Sequence, residues 1–109
     1  MEIEIKEQAP FSIVSLSGDV DMHSSPKVRQ HVLDCLKKNG SVLVELSAVT
    51  YMDSSGVASL VEGFQLAKKQ SLKFGLVAVS KPVMNVLKLA RLDGVFPIYS
   101  SVEQCLASV

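Results

Sequence analysis

Residues 42–56 read VLVELSAVTYMDSSG, and this stretch decides the fold. It begins with a nearly continuous apolar run at 42–46, which is typical of a β-strand covered on both faces. It ends in polar and small residues that lead into a helix from about residue 55 to 70. The apolar side chains of that helix recur with helical spacing, and they are Val57, Leu60, Val61, Phe64 and Ala67. A buried strand followed directly by a helix predicts a parallel strand pair with a right-handed crossover.

The residues before this stretch predict a hairpin, a loop and a helix. Alternation at 2–7 and the pattern at 11–16 indicate two short strands, which should pair as an antiparallel hairpin around the turn at Ala9-Pro10. Residues 18–23 break the pattern and are predicted to form a loop. Ser25-Pro26 is typical of a helix start, with a capping hydroxyl before a proline, and Asn39-Gly40 is expected to end that helix.

The residues after the stretch repeat the strand–helix alternation. They predict a buried strand at 74–79, a helix that ends near 93–94 and a short edge strand at 97–99. A last helix is marked by Val102, Cys105, Leu106 and Val109. The order β-β-α-β-α-β-α-β-α predicts an α/β fold in one domain over residues 1–109. We expect a mixed four- to five-stranded sheet with about four helices, which cover at least one face.

Composition excludes several classes of protein. Eleven Lys and Arg balance eleven Asp and Glu, so the basic excess of a nucleic-acid or anionic-membrane binder is missing. No apolar run reaches the roughly 18 residues of a membrane span. The first six residues alternate charge with isoleucine, unlike a signal peptide, so we expect a cytoplasmic protein. Cys35 and Cys105 form no CxxC pair and are predicted to be reduced core thiols.

Polar residues interrupt the apolar patterns of the predicted strands and helices at 19–23 and at 51–56. Both segments follow predicted strands, and sites of α/β proteins usually lie after the carboxyl ends of strands. Asp53, Ser54 or Ser55 could each cap the following helix. The alternative is a phosphorylation site, because a serine at a helix N-terminus is exposed and Gly56 leaves a partner enzyme room to approach.

Catalytic and metal-binding alternatives have weaker support. A serine hydrolase would need a histidine base, only His23 and His31 exist, and the motif is not GxSxG. Asp19, Asp21 and Asp53 have no spacing typical of a divalent-ion site. Nucleotide-binding motifs are absent from the sequence. The sequence therefore predicts a binding protein rather than an enzyme, with no cofactor and no metal.

Four segments in register resemble the STAS domain, and more closely the bacterial anti-sigma factor antagonists. Residues 18–21 read GDVD, similar to the G-E-L-D of that family, and residues 53–56 read DSSG, which matches its D-S-[ST]-G motif. The other two segments are VAVSKPV at 77–83 and LDGVF at 92–96. The resemblance covers nearly the whole chain.

The resemblance implies a partner-switching regulator. In that family the unphosphorylated antagonist binds an anti-sigma factor that is also a serine kinase, and this frees the sigma factor. The kinase phosphorylates the residue after the motif aspartate, here Ser54, and a PP2C-type phosphatase reverses the reaction. Asp21 matches a second partner-contact position, so the implied partner-binding residues are Asp21, Asp53, Ser54, Ser55 and Gly56. Two alternatives stay open: a STAS subunit of an ABC-type lipid transport complex that contacts its ATPase, and a small hydrolase that uses Ser54 or Ser55.

Overall fold

The computed structural model describes residues 1–38 and 40–108. Its strands are β1 (Glu2–Gln8), β2 (Phe11–Val20), β3 (Ser41–Met52), β4 (Phe74–Val77) and β5 (Ile98–Tyr99). Its helices are α1 (Ser25–Lys37), α2 (Ser54–Lys69), α3 (Lys81–Leu89) and α4 (Val102–Ala107). The element order predicted from the sequence is confirmed.

One sheet contains all five described strands, in the order β1-β2-β3-β4-β5. β1 pairs antiparallel with β2, and the other three pairs are parallel. Each parallel strand follows its neighbour in sequence across one helix, which is the arrangement of repeated right-handed crossovers. The predicted mixed α/β sheet is therefore confirmed, and it has five strands.

Alternation along the strands divides the core between the two faces of the sheet. Val14, Val44 and Leu76 belong to a large apolar cluster with side chains of α1, α2 and α3. Their neighbours Leu43 and Val77 belong to a smaller cluster with side chains of α4. Successive strand residues point to opposite faces, so three helices cover one face and α4 covers part of the other.

β2 and β3 extend further than the sequence predicted. The loop expected at 18–23 starts only after Val20, and Tyr51 and Met52 belong to β3 rather than to a loop. Val20 and Met52 pair across the two strands and both are buried. Gly18, with φ of +83°, lies beside a register shift, so an irregular segment that resembles a loop in sequence still pairs in the sheet.

Helix and strand ends differ from the prediction by a few residues. The N-cap of α1 is Ser24, so Ser25 lies inside the helix and does not cap it. β4 ends at Val77 because Ala78 has a positive φ of 51°. α3 ends at Leu89 rather than near 93–94. The predicted stop at Asn39 and the predicted apolar position at Val109 lie outside the described residues.

The edge strand β1 is more exposed than predicted. The alternation of isoleucines indicated a half-buried strand, but only Ile3 packs against the core and Ile5 is 41% exposed. Among the described helices, none combines the length and the apolar character needed to cross a membrane.

Candidate functional site

The two segments singled out in the sequence meet at one edge of the sheet. Val20 and Met52 are paired as the last residues of β2 and β3, so Asp21 and Asp53 both come directly after paired strand ends. The backbone N–H of Asp53 donates to the carbonyl oxygen of Val20 over 3.2 Å. We call residues 21–24 the β2–α1 loop and residues 53–56 the DSSG turn.

Asp53 caps α2 in the DSSG turn. Its Oδ1 accepts hydrogen bonds from the backbone N–H of Ser55 (2.9 Å), the backbone N–H of Gly56 (3.3 Å) and the hydroxyl of Ser55 (2.5 Å). These bonds, with the Ser55 hydroxyl first, lower the pKa of the Asp53 carboxyl below its ordinary value. Asp53 is therefore ionised at neutral pH, and of the three possible caps it is the one in use.

The two serines of the turn differ in what their hydroxyls do. The Ser55 hydroxyl donates to Asp53, so it is held at the start of the helix. Ser54 is the first residue of α2 and is exposed. Within residues 1–38 and 40–108, its hydroxyl makes no hydrogen bond to another side chain or to the backbone. Ser54 is thus the serine that an incoming molecule can reach.

Gly56 allows the start of α2 to lie against the ends of β2 and β3. A Cβ at this position would stand 2.7 Å from Met52 Cγ, 3.0 Å from Val20 Cγ1 and 3.2 Å from the Val20 carbonyl oxygen. Such distances are well inside van der Waals contact, so a side chain would push the helix away from the strands. The glycine of the motif is explained by this close approach.

The β2–α1 loop is closed by Asp21. Its Oδ1 accepts from the backbone N–H groups of His23 (2.9 Å) and Ser24 (3.1 Å), which forms an Asx turn. These two bonds lower the pKa of the Asp21 carboxyl, with the His23 N–H as the larger cause. The backbone N–H of Met22 in this loop also lowers the pKa of Asp53. The two segments are therefore neighbours electrostatically as well as in the sheet.

Two large apolar side chains stand out beside these polar groups. Met22 is 68% exposed in the β2–α1 loop, and Tyr51 is 50% exposed near the end of β3. A flexible methionine side chain can either fill a gap in the core or provide an adaptable contact surface. Met52 does the first and is buried, whereas Met22 is exposed. Strand alternation could not have identified Tyr51, because a register shift between the pairs of Val49 and Tyr51 interrupts the alternation, and both Thr50 and Tyr51 are exposed between buried Val49 and Met52.

The described residues offer little support for catalysis or metal binding. They contain no group of three His, Cys, Asp or Glu side chains close enough to hold a metal ion. The Oδ1 of Asp19 accepts a hydrogen bond from the Thr50 hydroxyl at 2.9 Å. Within the same residues, no hydrogen bond joins a histidine ring to Ser54 or Ser55. Cys35 and Cys105 are free and buried, as predicted.

Comparison with known proteins gives a consistent result. The family model described as STAS domain matches residues 2–105. The chain is 25% identical to an anti-sigma F factor antagonist of Paenibacillus polymyxa, over 100% of this chain and 95% of that relative. It is 23% identical to an anti-sigma-B factor antagonist of Bacillus subtilis, over 94% of both.

A solved structure agrees with these relatives. The crystal structure of an anti-sigma factor antagonist from Mycobacterium paratuberculosis superposes with a TM-score of 0.88 at 26% identity. The match covers 99% of this chain and 92% of that one. The fold, the DSSG turn and a family match that spans nearly all of the sequence lead to the same conclusion, and the chain belongs to the STAS domain family.

Proposed function

We propose that this protein is an anti-sigma factor antagonist, which binds an anti-sigma factor through the edge formed by the β2–α1 loop and the DSSG turn. The names of its similar proteins support this function over that of a lipid-transport subunit. The observation that carries the proposal is the exposed Ser54, the first residue of α2, beside the Asp53 that caps the helix. Met22 and Tyr51 supply apolar contact area around these polar groups.

Control of binding is assigned to phosphorylation of Ser54. A phosphate would add a charge of about −1.5 to −2. The ionised Asp53 lies next to it in sequence and already accepts from the N–H groups of Ser55 and Gly56. The phosphate would therefore repel Asp53 and compete with it for these donors. It would also place a charge in the middle of the docking edge, where desolvation is costly.

The choice between the two serines rests on their hydrogen bonds. Transfer of a phosphoryl group needs a hydroxyl that can enter the active site of a kinase. Ser54 meets this requirement directly, whereas Ser55 would first have to break its 2.5 Å bond to Asp53. The proposed kinase is the anti-sigma factor itself, and the proposed phosphatase is of the PP2C type. The protein would contribute the acceptor and the surface, without catalytic residues of its own.

The test is phosphorylation and binding of matched serine variants with the cognate anti-sigma factor. We expect phosphate on Ser54 by mass spectrometry, with no modification of Ser54→Ala. Ser54→Asp should bind at least about tenfold more weakly, equivalent to about 1.4 kcal/mol. Ser54→Ala should bind like the wild type, because it adds no charge and removes no hydrogen bond found in the structure.

Ser55→Ala is the control in the same turn. It should still accept phosphate at Ser54, since the substitution removes only the hydrogen bond from the Ser55 hydroxyl to Asp53. Phosphate found on Ser55 with Ser54 unmodified would refute the site. Equal affinities of Ser54→Ala and Ser54→Asp would refute the switch.

A further inference from the structure

A cavity of about 340 Å³ lies at the opposite end of the sheet from the DSSG turn. It is lined by residues at or near the starts of strands, including Phe11 of β2 and Phe74 of β4. The DSSG turn follows the other end of β3. Lys68 of α2 also lines the cavity, fourteen residues after Ser54, or about 21 Å along the helix axis. An occupant of this cavity would therefore leave the docking edge free.

The cavity exists because β5 is short. β4 and β5 pair only through Leu76 with Ile98 and Val77 with Tyr99, so the first two residues of β4 have no neighbour in β5. The second of these is Gly75, which lines the cavity at a point where its neighbours are already closely packed. A Cβ there would stand 3.1 Å from Tyr99 Cε2 and 3.2 Å from Leu43 Cδ2.

The lining combines an apolar interior with positive charge. Phe64 and Phe74 have ring centroids 6.1 Å apart and both face the cavity, together with Leu72. Among the described residues of the lining, the charged ones are Lys68 and Lys73. The Lys68 ammonium lies 5.3 Å from the centroid of the Phe64 ring, which places it beside the apolar wall.

These two lysines are not neutralised by carboxylates in the part of the chain that the structure describes. The ion pair found there joins Arg29 to Glu62, on α1 and α2. The remaining acidic candidate in the cavity is the Cys105 thiol, and burial raises its pKa. The described lining therefore contains two positive charges and no carboxylate, next to aromatic and aliphatic surface.

We propose that this cavity binds a medium-chain carboxylate, with its hydrocarbon chain against the phenylalanines and its carboxylate beside Lys68 and Lys73. The volume lies within the range of small-molecule sites, which are mostly apolar with a few polar groups. At about 30 Å³ for a water-sized group, it holds roughly eleven non-hydrogen atoms. Octanoate, with eight carbons and two oxygens, fits this size and is the probe for the test.

The sequence offers a convenient reporter for binding. It has no tryptophan and two tyrosines, of which Tyr99 lines the cavity and Tyr51 lies near the docking edge. In the Tyr51→Phe variant, tyrosine fluorescence therefore reports on Tyr99 alone. We expect octanoate at low ionic strength to change this fluorescence with saturation and a Kd below about 1 mM.

Two pairs of lysine substitutions, made in the Tyr51→Phe background, test the proposed carboxylate contact. Lys68→Gln with Lys73→Gln should weaken octanoate binding at least about tenfold, because both charges facing the head group are lost. Lys69→Gln with Lys81→Gln removes the same charge from exposed residues outside the lining and should leave the affinity unchanged. All four lysines are exposed, so each variant should fold, which circular dichroism verifies.

Two results would overturn the inference. One is the absence of a saturable change up to about 10 mM octanoate, which would mean that the cavity has no affinity for this class of ligand. The other is equal affinity in the two double variants, which would mean that the lysines do not contact the carboxylate. Neither result bears on phosphorylation of Ser54.

Discussion

The β2–α1 loop and the DSSG turn each place an aspartate directly after a strand, but the two aspartates stabilise different local structures. In each, an aspartate directly follows a strand end and accepts backbone N–H groups two and three residues later. In the DSSG turn these donors belong to α2, so Asp53 holds a helix of 16 residues. In the β2–α1 loop the donors belong to His23 and Ser24, before α1 begins, so Asp21 closes a local turn.

The same side-chain geometry therefore stabilises a helix in the DSSG turn and fixes the backbone conformation of the β2–α1 loop. The DSSG turn is anchored by Gly56 against two strands, and within residues 1–38 and 40–108 the Ser54 hydroxyl makes no hydrogen bond. The β2–α1 loop is held by its own hydrogen bonds and exposes Met22 and His23. We infer that the DSSG turn supplies a rigid acceptor site and the β2–α1 loop an adaptable contact surface.

The sharpest test of this contrast is Gly56→Val. The added atoms would overlap with Met52 and Val20, so we expect a loss of about 1–3 kcal/mol in the free energy of unfolding. Urea denaturation measures it. Ala58→Val, two residues further along α2 at an exposed position, is the matched control and should cost about 0.5 kcal/mol or less. Equal losses in both variants would show that the close approach of helix and strands is not needed.

A smaller effect is expected from the two aspartates. Asp53→Ala should lower the Tm by about 4–8 °C, because α2 loses its N-cap. Asp21→Ala should lower it by no more than about 3 °C, since its bonds go to the loop and to the N-cap residue Ser24 and not to N–H groups within α1. Thermal melts followed by circular dichroism separate the two. A larger loss for Asp21 would mean that the β2–α1 loop, rather than the DSSG turn, holds this edge of the sheet.

The smallest effect is a dependence on pH below about 4. The Asp53 carboxyl has a folded-state pKa below its ordinary value of 3.8. The stabilisation it provides is therefore present above that pH and is lost as the pH falls through the folded-state pKa. The Tm difference between wild type and Asp53→Ala should become smaller as the pH is lowered below about 4. The Tm difference between Asp53→Asn and Asp53→Ala should be the same at neutral pH and below about pH 4, because asparagine caps the helix without a charge.

Local patterns predicted most of the fold and the outline of the site. The apolar run at 42–46 predicted a covered strand, and residues of β3 in this run are buried toward both faces. The polar interruptions predicted where the chain turns at the edge of the sheet. Errors arose where a polar or irregular segment stays in the sheet, as at Gly18 and Asp19, because partners on β3 determine that pairing. The exposure of Tyr51 was missed, since it depends on the register shift between β2 and β3 near the end of the strand.

The sequence by itself determined the order of strands and helices, the parallel core of the sheet and the segment that holds the DSSG turn. These features depend on the spacing of apolar residues and on capping side chains, which act within a few positions along the chain. Only the tertiary structure decided that Ser54 rather than Ser55 is free, that Gly56 must lack a side chain, and that a cavity opens beside Gly75. The last two depend on contacts such as Gly56 with Val20 and Gly75 with Tyr99, between residues far apart in sequence. The difference between the two serines depends on the hydrogen bonds at the start of α2, where the hydroxyl of Ser55 donates to Asp53 and that of Ser54 does not.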